Sequence, residues 1–116
     1  MSMKGEQVLQ VIVFDWVRHN NLDDVIFHVA NERACTPQHG AILKRMGVKS
    51  GVSDIIITRA RKGYHGAFIE LKTNIGRVSP NQRDFLAVMD AEGYFTAVCF
   101  GYEECIDMIK WYLSDI

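Results

Sequence analysis

Apolar positions along the 116-residue chain alternate between helical and strand spacing. Val8, Val11, Ile12 and Trp16 recur at helical intervals, so residues 3–19 read as an amphipathic helix. Glu6 falls in its first turn, where a carboxylate favours the helix dipole, and Gly5 and Asn20-Asn21 punctuate its ends. Val25 to Ala30 reads as a short strand and Asn31-Glu32-Arg33 as a loop. Thr36-Pro37, cap and first helical residue, begin a second helix that runs to Met46 and stops at Gly47. The runs Ile55 to Thr58 and Ala67 to Leu71 are joined by a basic, glycine-bearing connection, Arg59 to Gly66, and predict a hairpin. Ser79-Pro80-Asn81-Gln82 then supplies N-cap, first helical residue and capping-box residue for a helix. That helix carries Phe85, Leu86, Val88 and Met89 inward and ends at Gly93. Phe95 to Phe100 reads as a fourth strand and Tyr102 to Leu113 as a last helix, with Ile106, Ile109, Trp111 and Leu113 apolar. The order α-β-α-β-β-α-β-α predicts an α/β sandwich with a mixed central sheet flanked by helices, in one domain over residues 1–116.

The predicted hairpin carries the chemistry. A side-chain period of two puts Glu70 and Lys72 on one face of the second strand and Leu71 on the other. Asp54 opens the first strand where pairing brings its carboxylate close to that of Glu70. Two acids and a lysine ending a buried hairpin are costly for stability alone. They suit a hard divalent cation held between carboxylates with an ammonium beside it.

Composition changes the picture little, with 48% hydrophobic residues and no repeat or low-complexity tract. Cys35, Cys99 and Cys105 are odd in number and lack zinc spacing, and read as reduced and mostly buried in a cytosolic protein. The apolar run Val8 to Phe14 is interrupted by Gln10 and is too short for a membrane span or signal peptide. Charge changes the picture more. A net charge of −1 argues against a nucleic-acid binder, but Arg33 to Arg83 holds ten basic residues and two acids, for +8. Those two acids are Asp54 and Glu70, and the rest of the chain, with three basic residues and twelve acids, carries −9. Such segregation suits a phosphate-backbone surface, for which the candidates are Lys44, Arg45, Lys49, Arg59, Arg61, Lys62, Arg77 and Arg83.

Asp54 … Glu70-Leu71-Lys72-Thr73 followed by Gly76-x-x-Ser79-Pro80-x-Gln82-x-x-Phe85 resembles the PD-(D/E)xK nuclease core. More specifically, it resembles the VRR-NUC family of virus-type replication-repair nucleases. Glu6 with Gln10, Asn31-Glu32 and the run Gly47 to Asp54 extend the resemblance over most of the chain. Ser53 stands where the family often has proline. The resemblance implies a restriction-endonuclease-like fold, with Asp54, Glu70 and the Leu71 carbonyl as ligands of Mg²⁺ or Mn²⁺. It also implies that Glu6 reaches the cation through a water and that Lys72 orients or activates the attacking water. Gln82 would position Lys72 or that water. In-line attack would then leave 5′-phosphate and 3′-hydroxyl ends. The resemblance further implies a homodimer, and a phage or prophage origin with a place in the cytoplasm of a bacterial host. No organic cofactor and no membrane partner are expected.

Blander readings stand beside these. Asp54 could cap a turn, Glu6 could serve only the helix dipole, and Gln82 is a capping-box residue that could do both jobs. His28 reads as a strand residue with a satisfied hydrogen bond and His19 as a helix C-terminal residue, while His39 and His65 lie in basic surroundings. Tyr64 suits stacking on an exposed base, or packing in its loop. Trp111 and Tyr112 form a candidate interface or core. The first functional reading is a metal-dependent, structure-selective DNA endonuclease acting on branched DNA as a dimeric four-way (Holliday) junction resolvase. The alternatives are a non-catalytic DNA-binding or assembly module, and a flap-, exonuclease- or restriction-type enzyme on the same core. No sequence-reading element is visible, which disfavours site-specific cleavage.

Overall fold

The computed structural model describes residues 5–30 and 36–115. Among these the order is α1 (Gly5–His19), β1 (Ile26–Phe27), α2 (Pro37–Arg45), β2 (Ile55–Ile57), β3 (Ala67–Lys72), α3 (Pro80–Ala91), β4 (Phe95–Phe100) and α4 (Tyr102–Leu113). The sheet order is β1-β2-β3-β4, with β1–β2 and β2–β3 antiparallel and β3–β4 parallel. A mixed sheet flanked by helices follows, as the sequence predicts. The predicted helix start at residues 3 and 4, and Asn31, Glu32, Arg33 and Cys35, lie outside the described residues.

Alternation along β3 sorts side chains between two layers. Ala67, Ile69 and Leu71 join Ile55 and Ile57 on one face, buried against Val13 and Val17 of α1 and Cys105, Ile109 and Tyr112 of α4. Phe68 and Glu70 point the other way, towards α3. There Phe68 meets Phe85 edge-on at 5.3 Å and Tyr94 at 5.1 Å. Local chemistry sets the termini. Ser79 Oγ accepts from Gln82 N–H, and the Gln82 side chain accepts from Ser79 N–H, which starts α3 with a complete capping box. At the hairpin tip Lys62 and Gly63 both take positive φ (53° and 85°), the pairing a type I′ turn requires.

Several predictions from local pattern are corrected. The strand expected over Val25 to Ala30 shrinks to Ile26–Phe27, beyond which the His28 ring bonds the Asp54 carbonyl in place of a continued ladder. The buried row of α1 is Val13 and Val17, with Leu9 and Trp16 packed beside it, while Val8 and Val11 face solvent. In α3, Val88 is exposed, and in α4 Tyr112 is buried while Trp111 is half-exposed. Of the two readings of Tyr64, packing in its loop holds: its ring packs on Phe95 at 5.4 Å and Tyr112 at 6.5 Å. Cys99 and Cys105 are free thiols buried in the core.

Candidate active site

Register builds the site. Ile55 pairs with Ile69, so one step further along the hairpin Asp54 stands opposite Glu70. Leu71 N–H donates to Asp54 Oδ2 at 2.8 Å, which pins the Asp54 carboxylate to the end of the ladder. N–H and C=O of one strand residue point to the same edge, and Lys72 C=O faces β4, where it accepts from Gly101 N–H. The Leu71 carbonyl therefore faces the Asp54 side. Asp54 and Glu70 then occupy a narrow, non-hydrogen-bonded pair, the arrangement that brings cross-strand side chains closest. Behind it, His28 Nδ1 lies 2.7 Å from the Asp54 carbonyl, so Nδ1 carries the proton and donates. A separation of 26 residues hid this role of His28 from local pattern.

Glu70 is buried, and one of its oxygens is engaged while the other is not. Oε1 accepts from Gln82 Nε2 at 2.8 Å and lies 3.7 Å from Lys72 Nζ, whereas Oε2 has no donor among the described residues. Burial, then the adjacent Asp54 carboxylate, push the Glu70 carboxyl up to about 8, with Lys72 pulling the other way. Gln82 is held at both ends of its amide, by Ser79 N–H and by Glu70, and so reaches Glu70 rather than Lys72. Lys72 is itself buried, and Glu6 of α1 approaches its Nζ to 4.0 Å from the solvent side. Ser53, the neighbour of Asp54, is buried with its hydroxyl unpartnered among the described residues.

Among the described residues no trio of His, Cys, Asp or Glu side chains clusters as metal ligands. The donor set nevertheless fits a hard cation. Two carboxylates crowded in register, one buried oxygen lacking a donor, and a carbonyl on the same side are oxygen ligands of the kind Mg²⁺ and Mn²⁺ accept, with positions left for water or phosphate.

Lys72 and Gln82 form the inner wall of a cavity of about 910 Å³, whose outer wall is basic: Lys44, Lys49 and Arg77 line it. Gly51 lets that wall approach closely. Its φ is +84°, and a Cβ there would sit 2.5 Å from the Asn81 carbonyl oxygen at the start of α3. Arg45 and Arg83 are exposed beside the cavity, in the last turn of α2 and the first turn and a half of α3. The other basic candidates are not brought here. Arg59, Arg61 and Lys62 occupy the hairpin tip, about 13 Å or more along the strands from Asp54. The Arg59 carbonyl accepts from Tyr112 OH, and Lys62 Nζ donates to Ser114 and lies over the Trp111 ring at 4.9 Å. His65 packs on Tyr94 at that same end, and His39 N–H caps into Thr36.

Two acids and a lysine delivered by a hairpin onto one face of a mixed sheet define a nuclease-like α/β domain. The model of the VRR-NUC domain matches residues 4–103, and the chain belongs to this family of nucleases. A solved structure described as a VRR-NUC domain protein is similar at 31% identity with a TM-score of 0.85, covering 97% of this chain and 91% of its own. No curated protein sequence matches the chain. Among the described residues no helix is long and apolar enough to cross a membrane.

Proposed function

We propose that this chain is a metal-dependent, structure-selective DNA endonuclease that cuts four-way junctions as a homodimer. The observation that carries the chemistry is the Asp54–Glu70 pair beside Lys72, a residue that also lines the basic cavity. Asp54, Glu70 and the Leu71 carbonyl would hold Mg²⁺ or Mn²⁺, with Glu6 acting through water. When bound, the cation would lower the pKa of water and offset charge on the phosphate. The chain's own residues do the rest. Lys72, a buried ammonium that contacts Glu70 and Glu6, donates to the phosphate oxygens as negative charge builds on them. Gln82 fixes the rotamer of Glu70, and Leu71 N–H fixes that of Asp54, so both carboxylates are held before substrate arrives. Glu6, half-exposed next to Lys72, offers a carboxylate for the water proton. Water adds to phosphorus in line, its proton passing to Glu6, as the bond to the 3′ oxygen breaks, and that oxygen takes a proton from solvent, leaving 5′-phosphate and 3′-hydroxyl ends.

The dimer and the junction rest on symmetry. Among the described residues one chain has one such site, whereas resolving a four-way junction takes two cuts, which a two-fold dimer supplies. The test is cleavage of a synthetic four-way junction and a linear duplex by the full chain in Mg²⁺, Mn²⁺ or EDTA. Paired nicks in the junction, dependent on metal, are expected. Cutting only flaps or linear ends would discard the resolvase, and junction binding without cutting in any metal would leave only a binding module.

A further inference from the structure

The basic cavity has an apolar rim that the hydrolytic chemistry does not use. Ile75 is 91% exposed and Met46 is 74% exposed, while Ile42 and Val48 also face solvent. Each lies within two residues of a position that lines the cavity: Leu43, Gly47, Val48 itself or Arg77. None of the nine residues of α2 is buried, so its apolar side chains serve no core. Ile75 is the most prominent. Gly76 N–H donates to the Thr73 carbonyl at 3.0 Å, closing a turn that holds Ile75 at its tip, three residues beyond Lys72.

Apolar tips scattered singly need no explanation, but four that each adjoin or line one cationic cavity do. A second copy of this chain would bring Lys44, Lys49 and Arg77 against the same like charges, whereas DNA supplies the opposite charge and, at a branch, exposed faces of unstacked bases. We infer that Lys44, Lys49 and Arg77 hold the backbone of the strand to be cut while Ile75 inserts against unstacked bases at the branch, so that preference for branched DNA resides in the turn that follows Lys72. The division of labour is physical. Phosphate contacts position the backbone, and an apolar side chain enters at least cost where a base step has already opened, because in a continuous duplex it must also unstack the step. This inference rests on the proposed reading that branched DNA is the substrate.

The test is binding in EDTA, which separates recognition from hydrolysis. The full chain is titrated into a four-way junction with 2-aminopurine at the branch point and into a continuous duplex of the same sequence. Wild type should raise the 2-aminopurine fluorescence. Ile75→Ala should abolish that rise and cut the junction-over-duplex preference about fivefold or more, the loss of one apolar wedge against the bases. Ile75→Phe should retain both. Lys49→Glu with Arg77→Glu should instead weaken junction and duplex alike and flatten the salt dependence. Wild-type behaviour in Ile75→Ala, or no fluorescence rise with wild type, overturns the inference. A wild type that raises the fluorescence yet cuts nothing in Mg²⁺ or Mn²⁺ overturns the nuclease reading and leaves the inference standing.

Discussion

At the scale of single residues, the site is a set of side chains each restrained by specific partners. Glu70 is the most constrained. Its carboxyl is raised from 4.5 to about 8, so in the metal-free protein it favours folding fully only below about 4.5. That contribution is lost as pH rises through about 8. In EDTA the melting temperature should therefore fall between these limits more steeply for wild type than for Glu70→Gln, measured by circular dichroism. A pH profile identical in the two proteins would refute the assignment. Gln82→Ala removes the donor to Glu70 Oε1 and half of the capping box. It should lose about 1–2 kcal/mol of stability, and cleavage should slow while DNA affinity holds. Gln82 was legible in the sequence as a capping residue and as a motif position, because both signals are local. The bond from His28 to the Asp54 carbonyl was not, because only the paired sheet brings the two together.

At the scale of elements, α3 and the loop before β2 set the geometry of the cavity. Phe85 anchors α3 on Phe68, and that contact sets the height of Gln82 over Glu70. Phe85→Ala should cost about 3–5 kcal/mol, with activity lost even where the protein remains folded. Gly51→Ala meets the Asn81 carbonyl and a positive φ together, and should cost about 1–3 kcal/mol by chemical denaturation. Elements with strong end signals were legible from sequence: Ser79-Pro80 starts α3, and α4 spans the predicted Tyr102–Leu113. The face that α1 buries was not. Moving its stripe from Val8 and Val11 to Val13 and Val17 depends on where α4 lies, and no helical period contains that information.

Over the whole molecule, the basic segment divides in two when folded. A charge count along the chain treats Arg59, Arg61 and Lys62 as companions of Lys44 and Lys49, but a hairpin sends its tip to the opposite end of the sheet from its open end. The acid pair sits at the open end, joined through Lys72 and Gln82 to the cavity that Lys44, Lys49 and Arg77 line. These three cations predict a salt slope of about −2.7 in log affinity against log salt, or steeper if a dimer doubles them. Charge reversal at Arg59 or Arg61 should leave that slope unchanged. On the proposed mechanism Lys72, held beside Glu70 and Asp54, stabilises the phosphate during hydrolysis. This role is tested most directly by single-turnover cleavage of a four-way junction in Mn²⁺ by wild type and Lys72→Ala, both folded and both saturated with DNA. Lys72→Ala should lose about 100- to 1,000-fold in rate with DNA affinity little changed. Equal rates in the two proteins would contradict that role.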